Sequence, residues 1–269
     1  MRGGPENKDM VLASAKSDKG AEGPVCAARE ARLIARAATS GALATYRRSK
    51  REPGHPYVSK VGVALDGEGR ALFLFSTLAA HTQDLLADGR CSLLLEAPET
   101  TNNPLQSART TLCGRAHRLD GNEALAAREI YLARHPGAAR YADFGDFAFW
   151  ALAVDKVHFV GGFGVARWAK GADYALPQAS IQTSIQASIK GNIAAARVRL
   201  LEEVNGARRA ELLRAAGFSR GWRAMDVDPD GLTLGGPKGR IARLNFPSPA
   251  KDVRSWRTRF AACVNRATL

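Results

Sequence analysis

No apolar run in this 269-residue chain approaches the roughly 20 residues that a membrane-spanning helix needs. The N-terminus, MRGGPENKDMVLASAKSDKGAEGP, mixes acids with bases and has no uninterrupted apolar stretch, so it is not read as a secretory signal. It reads as a polar, disordered tail over 1–25, and the protein is expected in the cytoplasm. Cysteine is scarce and scattered. Cys26, Cys91, Cys113 and Cys263 lie far apart with no CxxC pair, which excludes a zinc ribbon and a disulfide framework. Buried, reduced thiols are expected. The chain has no GxSxG and no HExxH, and its five histidines, His55, His81, His117, His135 and His158, are dispersed. Hydrolase chemistry is unsupported, and with no acid–base dyad in view any catalysis must depend on a cofactor. His135, just ahead of Pro136, is read as ending a helix, where a cation is favoured.

Acidic residues are the minority: 26 Asp and Glu face 39 Lys and Arg, a net charge of +13. The excess is unevenly spread. Residues 1–30 hold five of each sign, whereas 176–269 carry 16 Lys and Arg against 7 Asp and Glu, a net of +9. A second cluster, RRSKR (Arg47, Arg48, Lys50, Arg51), falls in an apparent loop. Such a surface attracts polyanions without choosing among them. No recognition-helix, zinc-finger, RNP or KH signature accompanies it. A solvated basic face is the simpler reading; a non-enzymatic module for nucleic acid or an acidic partner is the alternative.

Of what is present, hydrophobic periodicity says most. AAREARLIARAATS has helical spacing and is expected to stop at Gly41. ALATY begins a strand, and YVSKVGVAL and RALFLFS flank DGEG, a hairpin signal. A helix over about 78–87, a strand over about 91–97, the strand RTTLCGRAHRL and the amphipathic helix NEALAAREIYLARHP follow. FAFWALAV and KVHFVGGF read as two further strands across a turn at Asp155. Six or seven strands with short helices between them predict an antiparallel barrel. Beyond Trp168 the texture changes. ASIQTSIQASIKGNI repeats every four residues, with Ile181, Ile185, Ile189 and Ile193 on one helical face or in a linker. RRAELLRAAG, WRAMDVD, PDG, strands to Phe246 and a helix from about Pro249 to Arg266 then predict a small α+β domain. The boundaries are drawn at 26–170 for the barrel, 171–190 for a linker or helix start, and 191–269 for the second domain.

Three motifs bear on chemistry. DVDPDGLTLGGP begins like a calcium loop (Asp226, Asp228, Asp230, Gly231), but its twelfth position is Pro237, so a turn is expected. GGFGVA lacks the third glycine of a dinucleotide fingerprint, the position falling on Arg167, and reads as a tight turn leaving the barrel. FSTLAAHTQDL places Ser76, Thr77 and His81 at the start of a short helix. Such a terminus presents unpaired N–H groups, so these residues either cap and pack it or hold a phosphate or propionate.

The segments SGALAT, GHPYVSKVGVALDGEGRALFLFSTLAAHTQDLLADGRCSLLL, ARTTLCGRAHRL, YLARHP and FGDFAFWALAVDKVHFVGGFG together resemble the pyridoxamine 5′-phosphate oxidase-like flavin-binding split barrels, over about residues 30–168. Within them the chain is most similar to the heme-utilisation, HugZ-type branch, whose small C-terminal domain the tail resembles. The resemblance implies a six-stranded split barrel and a homodimer. It also implies cofactor sites between subunits that hold FMN or heme, and a flavin- or heme-dependent oxidoreductase. It places Ser59, Lys60, Ser76, Thr77, His81, Thr82 and Arg109 at the cofactor. The phosphate-binding Arg and Lys of true pyridoxamine phosphate oxidases fall on Val58 and Val63 here, and their Ser-Arg-Lys triplet on Ala79, Ala80 and His81. No histidine follows His158, where heme-degrading members carry an iron ligand near the C-terminus, and their HMNxDH helix appears as EVNGARR.

Overall fold

A computed structural model describes residues 11–12, 24–48, 53–97, 103–162, 164–176, 193, 196–218 and 220–266. In chain order the elements are β1 (Val11–Leu12), α1 (Pro24–Ala37), β2 (Ser40–Tyr46), β3 (Pro56–Gly62), β4 (Ala64–Leu65), β5 (Ala71–Ser76), α2 (Ala80–Ala87), β6 (Arg90–Glu96), β7 (Arg109–Arg118) and α3 (Gly121–Arg134). They continue with β8 (Phe147–Gly162), β9 (Val165–Lys170), α4 (Gly171–Tyr174), α5 (Arg197–Asn205), α6 (Arg209–Ala215), β10 (Arg223–Asp228), β11 (Gly231–Gly235), β12 (Ile241–Asn245) and α7 (Val253–Arg266). The chain divides into one unit over 18–180 and another formed by 1–17 and 181–269.

The first unit is built on an antiparallel sheet ordered β3-β2-β6-β7-β8-β5-β4, with β9 folded back on β8, eight strands in all. Alternation sends Leu43, Leu93, Leu95, Leu112 and Leu152 into one core, where all are fully buried. The helix α1 lays Ala27, Ala28, Ala31 and Ala35 on that core, an apolar stripe at helical spacing whose small residues permit close approach. β5 is apolar along its length because both its faces are covered: Phe73 and Phe75 enter the main core. Leu72 and Leu74 meet Ala127, Tyr131 and Phe149 in a second cluster beneath α3.

Several expectations are corrected by packing. Asp155 makes no turn; β8 runs unbroken for 16 residues, and the pairing with β7 skips Asp155 as a bulge between Cys113 and Gly114. Gly114 permits this, since a Cβ there would stand 1.9 Å from Ala153 O. Gly41 does not stop a helix but lies inside β2, where a Cβ would meet Leu95 and Leu94 O at 2.6–2.7 Å. Gly162, which ends β8, and Gly164 stand at positive φ, and the chain stays in the barrel by returning as β9. The barrel unit also runs past Lys170: α4 buries Tyr174, whose hydroxyl donates to Gly69 O at 2.8 Å. The DGEG hairpin is present between β4 and β5, where Asp66 accepts from the backbone N–H of Glu68 and Arg70.

The second unit is the expected α+β domain: β10, β11 and β12 form an antiparallel meander covered by α5, α6 and α7 around Trp256, Phe246 and Phe260. One strand was not anticipated. Within the segment read as a disordered tail, β1 pairs in parallel with β12 through Val11–Arg243 and Leu12–Leu244. Of the isoleucine repeat only Ile193 is described, buried in this core; Ile181, Ile185 and Ile189 lie outside the described residues. The calcium-like aspartates are engaged otherwise: Asp226 accepts from Arg197 at 2.6 Å, and Asp228 pairs with buried Arg243 at 2.7 and 2.8 Å. Asp228 also accepts from Asp230 N–H at 2.8 Å, the side chain of a turn.

Candidate functional site

A cleft of about 450 Å³ opens in the barrel unit where the ends of β3 and β5, the start of α2, the end of α3 and the start of β8 converge. Lys60, Val61 and Gly62 come from β3; Leu74, Phe75 and Ser76 from β5; Ala79 and His81 from α2. Tyr131, His135, Tyr141 and Phe147 complete the lining. Of the residues named from sequence, the fold brings Lys60, Ser76 and His81 together here.

The other four go elsewhere. Ser59 pairs with Leu43 along β3 and does not line the cleft. Thr77 lies in the turn before α2, its backbone donating to Asp146 O and accepting from the Gln83 amide. Thr82 is 1% exposed, with its hydroxyl sealed and unpaired among the described residues. Arg109 turns back to its own loop and donates to Leu105 O and Ser107 O.

Ser76 answers part of the question raised by its turn. Its hydroxyl donates to Asp146 Oδ2 at 2.5 Å and accepts from Leu78 N–H at 3.1 Å, so it shapes the turn. A carboxylate on that hydroxyl disfavours an anion beside it. The helix itself starts at Ala80, and its N-cap residue Ala79 offers no side-chain cap. The cation in the cleft wall is Lys60, on the opposite strand.

His81 is of another kind. Its ring meets Phe75 edge-on at 4.5 Å between centroids and makes no hydrogen bond among the described residues. Burial holds its pKa below the ordinary histidine value, outweighing the opposing pull of Asp84. Asp84 is itself occupied by Thr45 Oγ1 at 3.1 Å and Arg48 N–H at 3.0 Å. The site therefore holds a neutral imidazole, half-buried, with its nitrogens available.

His135 closes α3 as expected from the sequence, but its chemistry differs from that expectation. Burial lowers its pKa, with help from Arg134 and against a contact of Nε2 with Val63 O at 2.9 Å. No cation is favoured there. Its neighbour Tyr131 is 5% exposed, and burial raises its pKa. Sequence reasoning missed Tyr131, His135, Tyr141 and Phe147. The i, i+4 spacing of Tyr131 and His135 after Ala127 was the available signal, since it puts all three on one face of α3.

The basic loop is engaged within the fold. Arg47 approaches Asp84 at 3.6 Å and Arg48 bonds Asp88 at 3.0 Å, while Lys50 and Arg51 lie outside the described residues. Asp88 is held below the usual carboxylate range chiefly by Arg90. The cysteines are free thiols, Cys91 buried and the others half-buried, and burial pushes the Cys91 thiol up to about 12. Among the described residues no helix is long and apolar enough to cross a membrane.

Comparison with known proteins agrees with this architecture. Residues 24–175 match the model of the CREG beta-barrel family. Over 137 residues the chain is 36% identical to the non-canonical heme oxygenase HOZ, chloroplastic, of Arabidopsis thaliana, a match covering 51% of this chain and 41% of that protein. The chain thus spans about two-fifths of that relative's length. A protein of unknown function from Agrobacterium tumefaciens, Atu2129, superposes with a TM-score of 0.68 at 25% identity, over 90% of this chain and 95% of that one. A heme-binding protein from Mycobacterium smegmatis superposes with a TM-score of 0.53 at 29% identity, over 90% and 97%.

Proposed function

The chain belongs to the CREG beta-barrel family, and from that premise we propose that its barrel unit binds heme in the cleft, with His81 as the ligand of the iron and Lys60 facing the heme carboxylates. The observation that carries this reading is the His81 imidazole: neutral, half-buried, free of hydrogen bonds among the described residues, and set in a wall of rings. Neutral imidazole is the form that coordinates a metal. Phe75 and Phe147 supply the apolar surface a planar macrocycle needs, and Lys60 offsets negative charge at the edge. The residues present therefore fit the group. The names of two relatives, a heme oxygenase and a heme-binding protein, support the same ligand.

Heme, when bound, supplies one-electron and oxygen chemistry that side chains lack. The chain's own contribution is to orient His81 against Phe75, to exclude water with the aromatic wall and to keep Asp146 occupied by Ser76. FMN is the competing ligand. The valines standing where oxidases carry phosphate-binding cations count against it, since Val63 is fully buried in the core and Val58 is exposed. The reading extends to a cytosolic homodimer in which each cleft is completed by the second subunit. Titration of the purified protein with hemin and with FMN, followed by absorbance and light scattering, tests this. A Soret band saturating at one hemin per chain on a dimer is expected; saturation by FMN alone, or a monomer, would overturn it.

A further inference from the structure

Tyr131 is packed as a core residue, its ring 6.0 Å from Phe149 and 4.6 Å from His135 between centroids. Its hydroxyl is not accounted for by the core. Oη makes no hydrogen bond to any described residue, although the side chain is 95% buried and lines the cleft. Unlike the sealed hydroxyls of Thr82 and Thr110, Tyr131 Oη is open to the cleft it lines, where a ligand oxygen can reach it. Phenylalanine would fill the same apolar space, so the hydroxyl is what the cleft gains from tyrosine here. The chain also clears room at this point. Gly62 lies in the cleft wall, and a Cβ there would stand 2.5 Å from Tyr131 Oη, closer than real Cβ contacts come. The raised pKa keeps the phenol protonated at neutral pH, so its O–H can donate to an acceptor without giving up its proton.

We propose that Tyr131 Oη recognises the molecule held in the cleft by donating a hydrogen bond to one of its oxygen acceptors, and that Gly62 sets how closely that oxygen approaches. The inference rests on the heme reading for the identity of the ligand, where the acceptor is a heme carboxylate; in FMN it is a phosphate or ring oxygen. Tyr131 is a binding residue in this account, with no part in proton transfer.

The test compares the full-length wild type with Tyr131→Phe. In the ligand-free protein the variant melts at or above the wild-type temperature, because no protein partner is lost. Hemin titration then shows about a tenfold weaker Kd for Tyr131→Phe, the scale of one hydrogen bond to a charged acceptor. Gly62→Ala, which crowds the hydroxyl, weakens hemin in the same direction. Equal hemin affinity in wild type and Tyr131→Phe overturns the proposal, as does a clear fall in the variant's ligand-free melting temperature. If the wild type binds FMN and not hemin, the heme reading fails on its own, and the same comparison with FMN decides the role of Tyr131: a tenfold loss upholds it and equality ends it. A wild type that binds neither probe overturns both.

Discussion

In the second unit, buried polar groups answer one another. Arg243, 1% exposed, forks onto Asp228, whose backbone carbonyl accepts from Trp256 Nε1 at 3.0 Å, and half-buried Arg197 meets Asp226 at 2.6 Å. In the barrel cleft Ser76 and His135 are bonded, but two other polar groups are not. His81 and Tyr131 sit within a few residues of well-paired neighbours such as Asp84 and Arg134, yet neither makes a hydrogen bond among the described residues. Folding satisfies the polar atoms it needs. Thr82, Ser107, Thr110 and Trp150 also keep buried polar atoms without a partner among the described residues, so what sets His81 and Tyr131 apart is that they line a cleft a ligand can enter. Arg243 and Arg197 of the second unit serve its scaffold, and the proposed ligand site lies in the barrel unit.

Variants in the two units should separate accordingly. Arg243→Ala strands a buried carboxylate, and removal of one partner of a buried pair costs about 3–5 kcal/mol. Calorimetry should show the second unit melting early while hemin affinity holds; loss of hemin binding would erase the distinction. Leu112→Ala hollows the barrel core and should cost about 2–5 kcal/mol, lowering the barrel's own transition in denaturant. A smaller effect comes from pH. The folded protein holds His135 below its ordinary pKa, so the unfolded chain binds the proton more readily. That stability is present above the unfolded value of about 6.5 and is lost as pH falls through the lowered folded value. The ligand-free barrel should therefore melt progressively lower from pH 7.5 to 5.5, and His135→Gln should flatten part of that slope. The second unit has no histidine and should show no such component. The smallest effect is expected with polyanions. With Arg47 and Arg48 tied to Asp84 and Asp88, duplex DNA should bind only weakly at 50 mM salt and not at 200 mM. Retention at 200 mM would return the basic module to contention.

The sequence made the hairpins and α3 legible because their signals are local: strict alternation in RTTLCGRAHRL, turn residues in DGEG, and helical spacing closed by Pro136. It failed at Asp155 because a polar residue in a bulge looks like a turn residue until the opposing Gly114 is known to lie across from it. Gly41 misled for the same reason, its role being set by Leu95 on another strand. At the site, Lys60, Ser76 and His81 were named because they sit in a resembling motif or at a helix start. Tyr131, His135, Tyr141 and Phe147 come from segments far along the chain, and only the closure of the sheet brings them to β3 and β5. Thr82 and Arg109 do not line the cleft for the converse reason: nearness in sequence says nothing of which way a strand or helix turns its side chain.

The central claim is that His81 holds the iron of a heme in the barrel cleft. Absorption spectra of the hemin complexes of wild type and His81→Ala, recorded before and after adding free imidazole, test it most directly. The account predicts a Soret maximum that shifts in His81→Ala, an affinity at least tenfold weaker, and return of the wild-type spectrum when imidazole fills the vacated space. A variant whose spectrum and affinity match the wild type, with its melting temperature unchanged, would contradict it.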